Sequence, residues 1–146
     1  MAINVLLINR SNNPVPKYAM DGDAGMDLRA FVDEPVIIEP FERKLIPTGL
    51  YVAFPKGYEA QVRSRSGLAL KHGIAVLNTP GTIDAKYRGE IGVIMINLGN
   101  EPFKVENGDR IAQIVFKKVE TAIFVETDKL PESERGEEGF GHTGVK

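Results

Sequence analysis

Short apolar runs, separated by glycine, proline and asparagine, are the feature that most constrains the fold of this chain. Residues 58–62 alternate between apolar and polar side chains, as expected of a strand with one buried face. Residues 91–98 and 111–116 are rich in β-branched residues, and the first of these runs predicts a strand buried on both faces. Turn signals recur at spacings of roughly 8–12 residues. The pattern predicts an all-β sandwich or barrel of the jelly-roll type.

Helical structure is expected to be limited to at most one short segment. Pro35, Pro40 and Pro47 disfavour long helices in the first third of the chain, whereas residues 66–71 contain good helix formers. With 146 residues, the chain is long enough for one domain with a sizeable core. We assign residues 1–127 to this β domain. Residues 128–146 are expected to form a polar linker and a glycine-rich, flexible C-terminal tail of the same domain.

Composition narrows the possible functions. The chain has no cysteine, which excludes disulfides, thiolate zinc sites and a cysteine nucleophile. Its net charge is −2 and its acidic and basic residues are interspersed, so a general nucleic-acid binder is not expected. The apolar start is too short for a signal peptide, and no apolar run reaches membrane-spanning length. We therefore expect a cytoplasmic protein that binds neither nucleic acid nor membranes.

The C-terminal tail contains groups that could close on a phosphorylated base. Residues 135–144 include four glycines, one arginine, one aromatic ring and one hydroxyl. Arg135 could bind phosphate oxygens with both arms of its guanidinium, the Phe140 ring could stack on a base, and glycine amides could turn toward an anion. A solvated, disordered terminus would explain the same composition. The tail alone does not decide between these two interpretations.

Two upstream segments could also bind or cleave a phosphorylated ligand. Residues 63–67 place two arginines and two serines before the predicted helix, which suits a phosphate and a basic surface turn equally well. Residues 78–89 predict a hairpin whose tip, together with the Asn78 amide, could contact the edge of a base. Asp84 is a candidate general base for a water, and Tyr87 could pack against a sugar. An ordinary loop aspartate and a half-buried strand tyrosine are the alternatives.

Two further segments place polar residues beside apolar strands. Residues 21–27 contain three aspartates, but glycine at the fifth position excludes an EF-hand loop. Asp27 lies between apolar neighbours, which suits a supporting role near a metal–phosphate complex. Asp109 and Arg110 are expected to be structural, whereas Gln113 alternates in phase with apolar residues and is expected to face a ligand. No Ser/His/Asp set and no histidine cluster for zinc stands out.

The order of these segments is more informative than any one of them. Five segments follow one another and resemble the five motifs of the trimeric dUTPases (dUTP diphosphatases); they are residues 24–30, 65–69, 81–89, 108–113 and 135–144. The resemblance implies jelly-roll subunits and a homotrimer with three active sites at subunit interfaces. It also implies hydrolysis of dUTP to dUMP and pyrophosphate, with Mg²⁺ chelated by the triphosphate. Such an enzyme keeps uracil out of DNA and supplies dUMP for thymidylate synthesis.

The resemblance further implies a role for each motif residue. Asp84 would activate the water that attacks the α-phosphorus. Asp27 would act through the water shell of Mg²⁺, which has no direct protein ligand, or by supporting the site. Tyr87 would pack under the deoxyribose and exclude a 2′-hydroxyl. The other implied substrate-binding residues are Asn78, Gly81 and Ile83 for uracil, Arg65, Ser66, Gly67 and Gln113 for the phosphates, and Arg135, Phe140, Gly141, His142 and Thr143 in a lid from a neighbouring subunit.

Two residues depart from the family pattern. The family commonly has serine where this chain has His142 and glycine where it has Glu138. We expect His142 to contact the terminal phosphate and Glu138 to point to solvent.

Two other functions compete with dUTP hydrolysis. A dCTP deaminase resembles this fold but uses a glutamate on the strand after the Asp84 segment, where residues 91–96 contain no acid. A non-catalytic nucleotide-binding module would not need Asp84. The sequence therefore favours hydrolysis of dUTP over both.

Overall fold

The chain folds into short strands, as the sequence pattern predicts. The computed structural model describes residues 2–146, in which eleven strands and one helix form. In chain order these elements are β1 (Leu6–Asn9), β2 (Met26–Arg29), β3 (Val36–Ile38), β4 (Arg43–Pro47), β5 (Leu50–Ala53), β6 (Tyr58–Arg63), α1 (Ser66–His72), β7 (Ile74–Val76), β8 (Gly81–Asp84), β9 (Gly92–Asn97), β10 (Phe103–Val105) and β11 (Arg110–Lys118).

The strands pair in antiparallel sheets, and no strand pairs with its immediate neighbour in sequence. The largest sheet has the order β2-β11-β6-β8, and a three-stranded sheet has the order β4-β9-β7. Two ribbons, β1-β5 and β3-β10, complete the described pairings. The chain therefore crosses repeatedly between sheets, as in jelly rolls. Together with the one short helix, this topology confirms the predicted all-β class.

The core lies between the sheets and is built from the alternate side chains of each strand. Leu28, Ile38, Ile46 and Met95 are among the largest side chains that are almost fully buried. Burying one such aliphatic side chain contributes about 1.5–3 kcal/mol relative to leaving it exposed. This apolar layer fixes the strands whose ends carry the predicted site residues.

The prediction that residues 91–98 form a strand buried on both faces is wrong. In β9, Val93 and Met95 are fully buried, whereas Ile94 and Ile96 on the opposite face remain partly exposed. Both faces carry β-branched or aliphatic residues, so composition alone did not distinguish the face that meets the core from the outer face. The outer face of β9 is apolar and partly exposed in the single chain.

The helix forms where the sequence predicts it. Helix α1 begins after Arg65, whose backbone is extended, and ends at Gly73, which has a left-handed φ of 69°. The Gly73 N–H donates a hydrogen bond to the Ala69 carbonyl, and a Cβ at Gly73 would lie 2.7 Å from the backbone nitrogen of Gly99. Glycine therefore satisfies both the helix-ending conformation and the close approach of the Gly99 backbone.

Residues 78–89 do not form the predicted self-paired hairpin. Strand β8 pairs with β6, whereas β7, which precedes it, pairs with β9 in a different sheet. The segment between β7 and β8 is therefore a crossover between two sheets. The hairpin prediction failed because turn residues between two apolar runs indicate a change of direction, but they do not identify the strand's partner.

Residues 119–146 contain no helix or strand and are exposed, apart from one partly buried tail glycine. Strand β11 ends at Lys118, so regular structure stops before the predicted division at residues 127 and 128, which stays a prediction. The side chains of Ile123, Phe124 and Val125 are each more than 80% exposed. No helix of the described chain is long and apolar enough to cross a membrane.

Candidate active site

Two arginines meet one carboxylate at the ends of three strands. Arg65 Nε lies 3.2 Å from Asp27 Oδ1, and Arg110 Nη1 lies 3.4 Å from Asp27 Oδ2. Arg65 Nη1 also donates a hydrogen bond to the backbone carbonyl of Arg110 at 3.0 Å. These three residues, together with Gln113, are called the Asp27 cluster below. The three charged side chains are 27–53% exposed, so their attraction is screened by water and each pair contributes at most about 1 kcal/mol to folding.

Strand register explains why these residues meet. Asp27 on β2 lies opposite Gln113 on β11, and Gln113 lies opposite Arg63 at the end of β6. The β2–β11 register shifts between Arg110 and Ala112, as in a β-bulge. The backbone carbonyl of Arg110 and the side chain of Asp27 thereby both come within reach of Arg65.

Gln113 is held in place by a hydrogen bond of its side-chain amide. Its Nε2 donates a hydrogen bond to the Ser64 carbonyl at 3.1 Å. A Cβ at Gly25 would lie 2.5 Å from Gln113 Oε1, so a side chain at position 25 would displace the amide from its present position. Ser64 Oγ in turn accepts a hydrogen bond from the Val76 N–H at 2.9 Å, which ties this corner to β7. The amide of Gln113 thus lies at the edge of the Asp27 cluster in a defined position.

The remaining residues predicted to bind phosphates lie next to Arg65. Ser66 and Gly67 are the first residues of α1, and a Cβ at Gly67 would meet nothing within 4 Å. The surface at Gly67, two residues after Arg65, is therefore open. Phosphate oxygens could approach the start of α1 there without displacing a side chain.

Asp84 ends β8 and begins a tight loop, residues 84–90, that carries Tyr87. The Tyr87 N–H donates to the Asp84 carbonyl at 3.0 Å, and Arg88 Nη1 donates to the carbonyls of Ala85 and Tyr87 at 2.8 and 3.1 Å. Tyr87 Oη donates to the Glu90 carbonyl at 2.9 Å. The loop is therefore braced by its own hydrogen bonds, while the Asp84 side chain remains exposed.

The residues predicted to contact uracil lie at the other end of β8. Asn78 Nδ2 is 3.3 Å from the position of a Cβ on Gly81, so the amide packs closely against the glycine. The Ile83 side chain is only 8% exposed and belongs to the core. Only its backbone is therefore available to a ligand.

One chain does not bring Asp84 together with the Asp27 cluster. Asp84 lies opposite Glu59 on β6, whereas Gln113 of the cluster lies opposite Arg63. This offset of four residues corresponds to roughly 13 Å along the strands, and β8 and β2 are in addition at opposite edges of their sheet. The predicted site residues thus form two separate groups.

The tail residues form a third group. Arg135 Nε donates to the Glu138 carbonyl at 2.6 Å, and His142 Nε2 lies 3.9 Å from Glu138 Oε2. The Phe140 side chain is fully exposed and has a left-handed φ of 49°. Gly141 and Thr143 lie in the same exposed segment. These hydrogen bonds and ion pairs stay within the tail, and none of them reaches the Asp27 cluster or the 84–90 loop. The Glu138 side chain is 69% exposed, in agreement with the expectation that it points to solvent.

The described residues offer few ligands for a metal ion. Residues 2–146 contain no group of three or more acidic or histidine side chains that could hold one. Asp27 is the only carboxylate of its cluster, and both of its oxygens face guanidiniums.

Arg110 was expected to be structural, and its contact with Asp27 agrees with such a role, but the sequence did not identify Asp27 as its partner. The two residues are 83 positions apart in sequence, and only the pairing of β2 with β11 brings them together. Gly89 and Glu90 were also overlooked, although they contact the ring and hydroxyl of Tyr87. No local sequence signal marks either relationship.

Comparison with known proteins identifies the family. A family model described as dUTPase matches residues 11–144. The chain belongs to the dUTPase family. This membership confirms the resemblance seen in the five ordered motifs and, with it, the inference that the chain is a hydrolase.

Named members of the dUTPase family are similar to the chain over nearly its whole length. The deoxyuridine 5'-triphosphate nucleotidohydrolase of Cytophaga hutchinsonii is 54% identical over 99% of this chain and 94% of its own length. That of Treponema denticola is 60% identical over 90% of this chain and 91% of its own length. Among solved structures, a variant of the Staphylococcus bacteriophage 80alpha dUTPase with dUpNHpp has a TM-score of 0.87 and 27% identity, covering 97% of this chain and 99% of the phage protein.

Proposed function

We propose that the chain hydrolyses dUTP to dUMP and pyrophosphate. The observation that carries the proposal is the Asp27 cluster, because Arg65 and Arg110 place two partly exposed guanidiniums around one carboxylate in a chain that belongs to the dUTPase family. Guanidiniums bind phosphate oxygens with good geometry, and phosphoryl transfer depends mainly on positioning and charge neutralisation. In the cell this activity keeps uracil out of DNA and supplies dUMP for thymidylate synthesis.

Asp84 is the proposed general base. The oxygen of a water forms a bond to the α-phosphorus, and the bond between this phosphorus and the oxygen that bridges to the β-phosphorus breaks. Pyrophosphate leaves with the electron pair, and the proton of the attacking water passes to the Asp84 carboxylate. The loop hydrogen bonds at the Asp84 backbone support this role, because they fix the base of a side chain that is itself exposed. A positioned general base contributes about 10²–10⁴-fold to the rate.

The proposed phosphate contacts come from the Asp27 cluster and from the first residues of α1. Arg65, Ser66, Gly67 and Gln113 bind the triphosphate, and Mg²⁺ is held by the phosphates. The cluster fits an ion held in this way, because its one carboxylate already faces two guanidiniums and could accept a hydrogen bond from metal-bound water. Mg²⁺ supplies charge neutralisation at the phosphate oxygens.

The proposed base and sugar contacts come from the segment around β8. Uracil is bound along its edge by the Asn78 amide and by the backbones of Gly81 and Ile83. Ile83 contributes only its backbone, because its side chain is buried in the core. Mismatched buried donors and acceptors cost about 1–3 kcal/mol each, which separates uracil from cytosine. The ring of Tyr87 packs under the deoxyribose and leaves no room for a 2′-hydroxyl.

The tail is the proposed lid. Arg135 binds the γ-phosphate and Phe140 stacks on uracil, while Gly141, His142 and Thr143 complete the closure over the phosphates. The exposure of Phe140 and the local character of the tail's hydrogen bonds support this role, because such a segment can move as a unit. A lid of this kind closes for chemistry and opens for product release.

A homotrimer with three shared sites is the proposed assembly. Asp84 and the Asp27 cluster lie on different parts of the same sheet, so one chain does not complete the site by itself. A second subunit supplies the missing group, and the tail of a further subunit closes over both. This arrangement accounts for a chain of 146 residues enclosing a nucleotide.

The proposal is tested by pyrophosphate release with Mg²⁺ from dUTP, dCTP, dTTP and UTP. We expect the wild-type protein to hydrolyse dUTP alone, and Asp84→Asn to lose at least about 100-fold in kcat. Glu59→Gln is the matched control, because Glu59 lies directly opposite Asp84 on β6 and should leave the rate unchanged. Equal rates on UTP, or full activity of Asp84→Asn, would contradict the proposal.

The two competing functions gain no support from the structure. Strand β9, which follows the 84–90 loop, contains no acid, so the glutamate of a dCTP deaminase has no counterpart there. A non-catalytic binding function does not explain the exposed Asp84 carboxylate. Release of ammonia from dCTP in the same assay would support the first alternative.

A further inference from the structure

The Tyr87 ring is half-exposed, yet it is held from two sides by the residues that follow it. Tyr87 is 47% exposed, so burial in the core does not fix its ring. Its hydroxyl instead donates a hydrogen bond to the Glu90 carbonyl at 2.9 Å. The ring therefore folds back over Gly89, the residue between Arg88 and Glu90.

Gly89 leaves the space that the Tyr87 ring occupies. A Cβ at Gly89 would collide with Tyr87 Oη and would lie 2.5 Å from Cζ and 2.9 Å from Cε1. Real Cβ atoms essentially never approach other atoms this closely, so a side chain at Gly89 and the present ring position exclude each other. The φ of Gly89 lies outside the left-handed region, so its backbone would accept alanine.

The partner of the Tyr87 hydroxyl is itself fixed to the body of the fold. The Glu90 carboxylate accepts a hydrogen bond from the Gly49 N–H at 2.8 Å. The next residue, Ile91, donates its N–H to the Leu50 carbonyl at 2.8 Å and accepts a hydrogen bond from Thr48 Oγ1 at 2.6 Å. The Glu90 carbonyl, which accepts the hydrogen bond from Tyr87, is therefore held in place by the fold. The Tyr87 ring, in contrast, could move toward solvent if residue 89 had a side chain.

We propose that Gly89 is a positioning residue for sugar selectivity, which it sets by letting the Tyr87 ring lie close to the backbone of the 84–90 loop. This inference rests on the proposed function, in which Tyr87 packs under the deoxyribose. Alanine at position 89 pushes the ring toward solvent and opens space for a 2′-hydroxyl. Because the displaced ring is the exposed end of a side chain, folding is nearly unaffected while selectivity is lost.

The test compares kcat/KM for dUTP and UTP in Gly89→Ala and in the wild-type protein. A packed pocket rejects an added hydroxyl by about 10²-fold, so displacing the ring should raise the UTP-to-dUTP ratio about 10- to 100-fold. Lys86→Ala is the matched control, since Lys86 lies in the same loop with an exposed side chain. It should keep the wild-type ratio. An unchanged ratio in Gly89→Ala would overturn the proposal.

A double-mutant cycle shows whether Gly89 acts through Tyr87. In Tyr87→Ala the ring is absent, so adding Gly89→Ala should change the ratio no further. If the two substitutions multiply instead, Gly89 acts independently and the inference is wrong. A melting temperature of Gly89→Ala more than about 8 °C below that of the wild-type protein would also overturn it, because alanine would then disturb more than the exposed ring.

Failure of this inference and failure of the proposed function give different results. If wild-type protein and Lys86→Ala release no pyrophosphate from dUTP, the proposed function itself is wrong. If both hydrolyse dUTP and reject UTP while Gly89→Ala does the same, only the role of Gly89 is wrong.

Discussion

The carboxylate of Asp27 lies 3.2 Å from Nε of Arg65, and this contact joins β2 to the segment between β6 and α1. The same carboxylate faces Arg110 at 3.4 Å. One negative charge thus lies between two positive groups that would otherwise repel each other. The arrangement holds Arg65 in one orientation before any phosphate arrives, and preorganised donors of this kind need little rearrangement when charge develops.

Replacing Asp27 by Asn should weaken dUTP binding more than it weakens folding. Without the carboxylate, Arg65 loses its orienting partner, and we expect KM for dUTP to rise about tenfold. The free energy of unfolding should fall by at most about 1 kcal/mol, because the pair is partly exposed and screened. Steady-state kinetics and urea unfolding measure the two effects. Glu106→Gln, which removes the exposed ion pair with Lys104 at 3.0 Å, should change neither.

Arg110→Gln should have a smaller effect of the same kind. The Arg110 side chain is 53% exposed and contacts Asp27 only at 3.4 Å, whereas its backbone carbonyl, which the substitution keeps, accepts the hydrogen bond from Arg65. We expect KM to rise about threefold with kcat nearly unchanged, which is the pattern of lost ground-state binding. An effect on KM larger than that of Asp27→Asn would show that Arg110 contacts the substrate directly.

Local features of the fold could be predicted from the sequence. The alternation at residues 58–62 gave β6, and the helix formers after Arg65 gave α1, because each signal depends on neighbouring residues. The prediction that β9 is buried on both faces was wrong because Ile94 and Ile96 on its outer face are only partly buried in the single chain. A partner subunit offers one explanation for such a face, and a single sequence does not reveal it.

Contacts across strands could not be predicted. Asp27 and Arg110 meet through the β2–β11 register, and β8 pairs with β6 because the chain crosses between sheets. The ordered motifs identified which residues matter, since their succession along the chain is specific even where each motif alone is weak. They did not show that Asp84 and the Asp27 cluster lie apart in one chain.

Removing residues 135–146 should abolish most of the activity and leave the fold intact. The tail's hydrogen bonds and ion pairs lie within the tail itself, so the core loses nothing when it is deleted. We expect kcat to fall at least about 100-fold, because the γ-phosphate and base lose their covering groups and water enters. The melting temperature and the oligomeric state by light scattering should match those of the full-length protein. Dissociation on truncation would contradict a lid that acts only on the nucleotide.

Asn97→Ala should destabilise the fold strongly. The side chain of Asn97 is fully buried; its Nδ2 donates to the carbonyls of Ile38 and Glu101 at 2.9 and 2.7 Å, and its Oδ1 accepts the Gly99 N–H at 2.9 Å. Alanine leaves these backbone groups without partners, at a cost of about 3 kcal/mol. Urea unfolding at a fixed protein concentration measures the loss. Asn100→Ala, at an exposed position in the following turn, should cost less than about 0.5 kcal/mol.

Two inactive variants should restore activity when their subunits are mixed. Arg65→Gln removes the cluster's proposed phosphate-binding guanidinium and Asp84→Asn removes the proposed base, so each protein alone should be nearly inactive. If Asp84 of one chain serves the Asp27 cluster of another, a mixed assembly contains some sites in which both residues are intact. We expect co-refolded mixtures to hydrolyse dUTP at least about tenfold faster than either variant alone, with the maximum near equal proportions.

A mixture of Arg65→Gln with the double variant Arg65→Gln/Asp84→Asn is the control and should stay inactive, because no subunit then carries Arg65. Absence of restoration in assemblies shown to be mixed would place Asp84 and Arg65 in the same subunit's site and overturn the shared arrangement.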